Sequence, residues 1–133
     1  MKKQEANNLM KGDCVFINTY GIIKIIRVTN YMPNGIIGER ESATHFAEIK
    51  DVTPIPITNR FLINNGFLQV GHLYMFCGTN DVYKYKFIIE YNLSNHTLFI
   101  NDGMVPNPVQ YIHELQHIFR ICGLDGNINI DKL

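Results

Sequence analysis

From Lys11 to Ile57 the sequence is a succession of short β-branched runs broken by turn residues. That spacing leaves room for little except a small, strongly bent antiparallel sheet. Lys11-Gly12-Asp13 reads as a turn and 14–20 as a strand. Gly21 breaks it before a second strand over 22–29, whose apolar run is interrupted by Lys24 and Arg27. Tyr31-Met32-Pro33-Asn34-Gly35 carries turn chemistry, because proline fixes φ and Asn-Gly supplies positive φ. Weaker strands follow over 36–39 and 44–49. Residues 52–57 contain Pro54 and Pro56, which deny that segment a full ladder and make it extended or an edge strand. Residues 1–57 are therefore expected to form a small antiparallel β-barrel-like unit.

Residues 58–133 mix the two periodicities. Thr58 suits the N-cap of a short helix over 59–65 that Gly66 ends, with Phe61, Leu62 and Phe67 docking it on the core. Strands are expected over 73–77, 82–91 and 97–101. In the middle one Tyr83, Tyr85, Phe87, Ile89 and Tyr91 alternate with Lys84, Lys86 and Glu90, and 92–95 forms the following hairpin loop. Val105-Pro106-Asn107-Pro108 leads into a helix over 109–122, with Gly123 as its C′ residue. The expected class is α+β: the N-terminal barrel-like unit, then an antiparallel sheet with two flanking helices over 58–133, the two together expected as one compact domain.

Composition excludes several function classes. The 133 residues are 46% hydrophobic and 11% aromatic, enough for a packed core and against wholesale disorder. Twelve basic residues balance twelve acidic ones, which disfavours nucleic acid held by many phosphate contacts. No apolar run reaches the roughly 18–20 residues that span a bilayer. The polar start from Met1 to Asn8 lacks an apolar signal core, so a cytoplasmic protein is expected. Cys14, Cys77 and Cys122 are far apart, form no CxxC pair and read as buried thiols. Gly12, Gly21, Gly35, Gly66, Gly71 and Gly78 read as turn glycines, and none belongs to a phosphate-cradling loop pattern.

One motif looks catalytic. His113-Glu114-Leu115-Gln116-His117 matches H-E-x-x-H, in which two histidines one helical turn apart bind zinc and the glutamate acts as base on metal-bound water. A catalytic zinc needs a third ligand, and downstream only Asp125 and Asp131 offer one, failing an upstream histidine. The third histidine of the extended motif is missing. At 100° per residue, Ile112, Leu115, Ile118, Phe119 and Cys122 form the buried stripe. His113, Gln116, His117 and Arg120 then fall roughly opposite, on a face that is solvated or part of an interface. The expectation is no metal and no catalytic residue; the alternative is Glu114 as base, with zinc on His113 and His117. His45, His72 and His96 read as surface or strand-end histidines.

Two segments together resemble a known family. Thr53-Pro54-Ile55-Pro56-Ile57-Thr58 leading to Asn65-Gly66-Phe67, and Tyr111-Ile112-His113-Glu114-Leu115-Gln116-His117 leading to Gly123, are similar to small uncharacterised proteins of Bacteroidales and their phages, including crAss-like phages. That family carries a P-I-P-L-T element, a short helix ending in G-F, and a C-terminal Y-V-H-Q-L-Q-N-L-Y helix. Glu114 stands where the family has glutamine and His117 where it has asparagine, so the resemblance implies that the zinc motif arose from two substitutions. It also implies a phage or mobile-element product acting inside a bacterial host.

The leading functional expectation is a small non-enzymatic binding protein that sequesters a nucleotide-derived immune signal, in an anti-defence role and as a homo-oligomer. Arg60, His113 and Arg120 are the candidate phosphate contacts, with Tyr83 and Tyr85 for base stacking. Two alternatives stand beside it. One is the zinc metallopeptidase. The other is a host-protein or nucleic-acid interaction module using Lys11, Lys24 and Arg27 of the β unit.

Overall fold

The computed structural model describes residues 1–2, 6 and 8–124. The chain divides into two compact units, one ending at Ile55 and the other starting at Pro56. Each is built on its own five-stranded antiparallel sheet, and with the helices Asn59–Asn64 and Ile112–Ile121 the class is α+β. Among the described residues no helix is long and apolar enough to cross a membrane.

The N-terminal unit contains β1 (Cys14–Thr19), β2 (Ile22–Met32), β3 (Gly35–Arg40), β4 (Ala43–Glu48) and β5 (Val52–Pro54). Its sheet order is β4-β3-β2-β1-β5. Four strands run as a meander, and a 3₁₀ turn at Ile49–Asp51 returns the chain so that β5 pairs with the outer side of β1. The sheet keeps two edges, β4 and β5, so the described residues form no closed barrel. Pro54 lies on the β5 edge, where its missing N–H costs the sheet no ladder bond. Period-2 alternation aims Val15, Ile17, Ile26, Val28, Ile36, Ala47 and Val52 at one face, where they bury with Leu9.

β2 is longer than the residue types suggest. A register shift between Val28 and Asn30 absorbs one extra residue, and the Thr29 hydroxyl donates to Ile37 O at 3.2 Å beside it. Pairing then continues through Tyr31 and Met32, whose partners are Ile36 and Gly35. Gly35 is thus a strand residue and not part of the turn. A side chain there would run into the Ala47 carbonyl.

The second unit contains α1 (Asn59–Asn64), β6 (Leu68–Val70), β7 (Leu73–Thr79), β8 (Lys86–Asn92), β9 (Thr97–Ile100), β10 (Gly103–Met104) and α2 (Ile112–Ile121). Its sheet is a pure meander, β10-β9-β8-β7-β6. The Thr58 hydroxyl accepts Phe61 N at 3.1 Å, and Gly66 follows α1 at φ 94°. Gly78 lies inside β7, where an added Cβ would meet Leu124 at 2.7 Å. The edge strands β6 and β10 are too short and exposed to leave a periodic signature.

Phe67, Phe76 and Phe119 form an aromatic cluster with ring centroids 4.8–6.0 Å apart, joining the end of α1, the sheet and α2. The helix α2 starts at Ile112, three residues after the expected point. Pro56 bridges to Tyr111 in antiparallel fashion, and Val109 N donates to His96 O at 2.8 Å. Residues 109–111 are therefore held in extended backbone by the segments around Pro56 and His96 before the helix can begin.

Candidate functional site

The motif helix α2 places its polar residues differently from a simple helical projection. His113 is 8% exposed and Gln116 1%, so at both positions the polar face is buried within the chain rather than solvated. The projection assigns every residue off the aliphatic stripe to solvent, whereas α2 is covered on more than that stripe. The His113 ring lies flat against Tyr111, with centroids 6.0 Å apart and planes at 7°. It meets His117 edge-on at 5.8 Å. His113 is therefore a packed ring rather than a fully solvated one.

Glu114 points back over the start of its own helix. One carboxylate oxygen accepts Tyr111 N at 3.0 Å and Gln110 N at 3.1 Å, serving backbone donors that a helix N-terminus leaves without intrahelical partners. A zinc peptidase needs this carboxylate beside metal-bound water. His113 and His117 sit one turn apart and are the pair that could hold a metal. Among the described residues no group of three or more His, Cys, Asp or Glu is placed for a metal ion. Asp125 and Asp131 lie outside the described residues.

The aromatic row expected in one continuous strand is divided. Pairing with β7 begins at Lys86, so Phe87, Ile89 and Tyr91 share the inner face while Tyr83 and Tyr85 stand on the preceding loop. Asn80 causes the division. Its side-chain oxygen accepts Val82 N at 3.0 Å and Tyr83 N at 3.2 Å. Its backbone accepts Lys84 N and donates to Tyr85 O, both at 2.8 Å. Its side-chain nitrogen reaches Cys122 O at 3.3 Å, tying the loop to the end of α2. Lys84 takes φ 61° to close the turn.

The loop thus holds its tyrosines outward. Tyr83 is 71% and Tyr85 64% exposed, their ring centroids lie 6.3 Å apart, and their planes are inclined by 30°. That separation is near the wide end of the roughly 4.5–7 Å over which aromatic rings interact. Lys84 and Lys86 alternate with them along the chain and are exposed. No protein-family model, no curated protein and no solved structure matches this chain.

The remaining candidates are dispersed. Arg60 is exposed in the first turn of α1, and Arg120 is half-buried in the last turn of α2. In the N-terminal unit Lys11 is exposed, Lys24 is half-buried, and the Arg27 guanidinium donates to Gly12 O at 3.1 Å. Cys14 and Cys122 are buried, and burial pushes the Cys122 thiol pKa up. Cys77 is exposed, contrary to the expected burial, because alternation in β7 turns it away from the face that carries Phe76.

Two arrangements were missed in the sequence. Asn80, with its side chain turned onto the next residues, was legible as a turn former in Thr79-Asn80-Asp81. The second has no local signal. The Tyr91 hydroxyl donates to Val109 O at 2.6 Å and lies 3.1 Å from His96 Nδ1. With its one proton given to Val109, the hydroxyl accepts from His96, which places the histidine proton on Nδ1. Burial first, then the Glu114 carboxylate, pushes the Tyr91 pKa up to about 12.

Proposed function

We propose that this is a non-catalytic binding protein whose ligand combines a planar base with phosphate, a nucleotide-derived molecule that it sequesters. The observation that carries this reading is the tyrosine pair on the Asn80 loop, turned outward by the Asn80 hydrogen bonds and alternating with Lys84 and Lys86. Exposed aromatic rings bury apolar area only when something stacks on them. A loop fixed in advance spends little entropy when that happens. Lys84 and Lys86 supply the charge that a phosphate beside the stacked base would meet. Catalysis is not part of the proposal, because the one carboxylate suited to act as base, Glu114, is engaged with the backbone at the start of α2.

The biological setting follows from the resemblance to proteins of Bacteroidales and their phages. On that reading the molecule is a phage or mobile-element product that removes a nucleotide immune signal inside the host. In the N-terminal unit, the open five-stranded sheet is read as a barrel-like frame.

Calorimetry against cyclic dinucleotides, ADP-ribose derivatives and a short single-stranded oligonucleotide tests the assignment. Stacking on an aromatic ring is worth about 1–3 kcal/mol per base. Tyr83→Ser or Tyr85→Ser should therefore weaken binding by roughly 5- to 150-fold. Failure of every nucleotide to bind, or binding indifferent to both substitutions, refutes the proposal. Binding of the oligonucleotide alone would replace sequestration with single-strand recognition.

A further inference from the structure

We propose that the outer face of the second unit's sheet pairs with the same face of a second copy of this chain. The inner face packs on α2, where the Phe119 and Phe76 ring centroids lie 4.8 Å apart. Residues directly opposite each other in antiparallel strands share a face. The register therefore sets Leu68, Met75, Glu90, Phe99 and Met104 in one row across all five strands, on the face away from Phe76. Cys77 and Ile88, paired with each other, form the next row of the same face. Leu68, Ile88 and Met104 are exposed, and Met75 and Phe99 are half-buried. Single exposed apolar side chains are ordinary, but a continuous row of them across a sheet marks an interaction surface.

Charge decides the occupant. On the central strand β8 the outer face carries Lys86, Ile88 and Glu90 in succession. Lys86 and Glu90 each lie about 7 Å along the strand from Ile88. Neither forms an ion pair among the described residues. Glu90 is half-buried between its register neighbours Met75 and Phe99, a costly place for a carboxylate that no cation meets. The strand is its own complement. A two-fold axis between two stacked sheets, crossing β8 at Ile88, sets Lys86 of each copy against Glu90 of the other and Ile88 against Ile88. The same axis follows the Cys77–Ile88 row, so the two Cys77 side chains face each other across the roughly 10 Å between stacked sheets. Five strands about 4.8 Å apart and seven residues of about 3.3 Å give each copy a face of roughly 500 Å². Two such faces reach the lower bound of about 1,000 Å² for a specific interface. The pair is therefore reversible and parts on dilution, which leaves Cys77 open to reagents in dilute protein.

Sedimentation velocity of the full chain over a concentration series, without nucleotide, tests the pairing. A reversible monomer–dimer equilibrium is expected. Ile88→Lys, Lys86→Glu and Glu90→Lys should each weaken it about tenfold or more, the two reversals because like charges then meet twice. Lys86→Glu combined with Glu90→Lys should regain the wild-type affinity, which loss of fold could not produce. Unchanged circular dichroism reports that each variant folds. A short bifunctional thiol cross-linker should join concentrated protein into a covalent dimer through Cys77. Cys77→Ser should abolish that product, because Cys14 and Cys122 are buried. A chain that stays monomeric at every concentration overturns the proposal and leaves the face to a different partner. A dimer indifferent to all three single substitutions overturns the surface. Failure of the combined variant to recover, or absence of the Cys77 cross-link, overturns the two-fold arrangement.

Discussion

Replacing Glu114 by alanine separates the two roles its motif suggests. Its carboxylate accepts two backbone N–H groups, from Tyr111 at 3.0 Å and Gln110 at 3.1 Å. A hydrogen bond to a charged group contributes about 1.5–3 kcal/mol, but both bonds are not lost in full. Gln110 is exposed and water replaces its partner; Tyr111 is half-buried and is compensated less. The charge–dipole attraction at the helix start adds about 0.3–1 kcal/mol. The net cost of Glu114→Ala is then about 1–2 kcal/mol, within the range for losing a helix cap. Glu114→Gln keeps an acceptor oxygen and should lose about half as much.

Urea denaturation followed by circular dichroism measures both variants. Thermal midpoints should fall by roughly 4–8 °C for each kcal/mol in a cooperative unit of this size. Both substitutions also remove the negative charge that helps hold the Tyr91 phenol protonated, so tyrosinate absorbance should appear at lower pH. Were Glu114→Ala as stable as wild type, with Tyr91 titrating unchanged, the capping account would be wrong and the carboxylate would be free for other chemistry.

Tyr91 itself sets an alkaline limit. Its folded pKa, raised to about 12 from 10.0, contributes stability that is complete below pH 10 and is lost as pH rises through 12. The loss amounts to roughly 2–3 kcal/mol, read by denaturant midpoints across that window. Tyr91→Phe should cost about 1–3 kcal/mol by leaving Val109 O without its donor, and should abolish this pH dependence. Asn80→Ala should speed hydrogen exchange at Val82 and Tyr83, whose amides it holds, and weaken nucleotide binding while both tyrosines remain. Unchanged exchange would contradict a preorganised loop. A thiol reagent on the native protein should modify Cys77 quickly and Cys14 and Cys122 only on unfolding; equal rates at all three would contradict the β7 orientation. Elemental analysis after incubation with zinc should find none retained; stoichiometric zinc lost on His117→Ala would favour the peptidase alternative.

Local chemistry was enough for the class, most strands and the limits of the short helix. Thr58 and Gly66 bracket α1 because a hydroxyl cap and a positive-φ glycine act within one turn of chain. Alternation in Val15, Ile17, Ile26 and Val28 likewise declares a buried sheet face without reference to any distant residue. Tertiary structure decided the rest. The continuation of β2 past Thr29 depends on β3 accepting a bulge, and the late start of α2 depends on Pro56 and His96 engaging residues 109–111. The burial of His113 depends on what covers α2 beyond its apolar stripe, which a helical projection does not contain. The tyrosine pair follows the same rule. A side chain's type is local, but whether it faces solvent, a groove or the core is set by strand register and by segments far away in sequence.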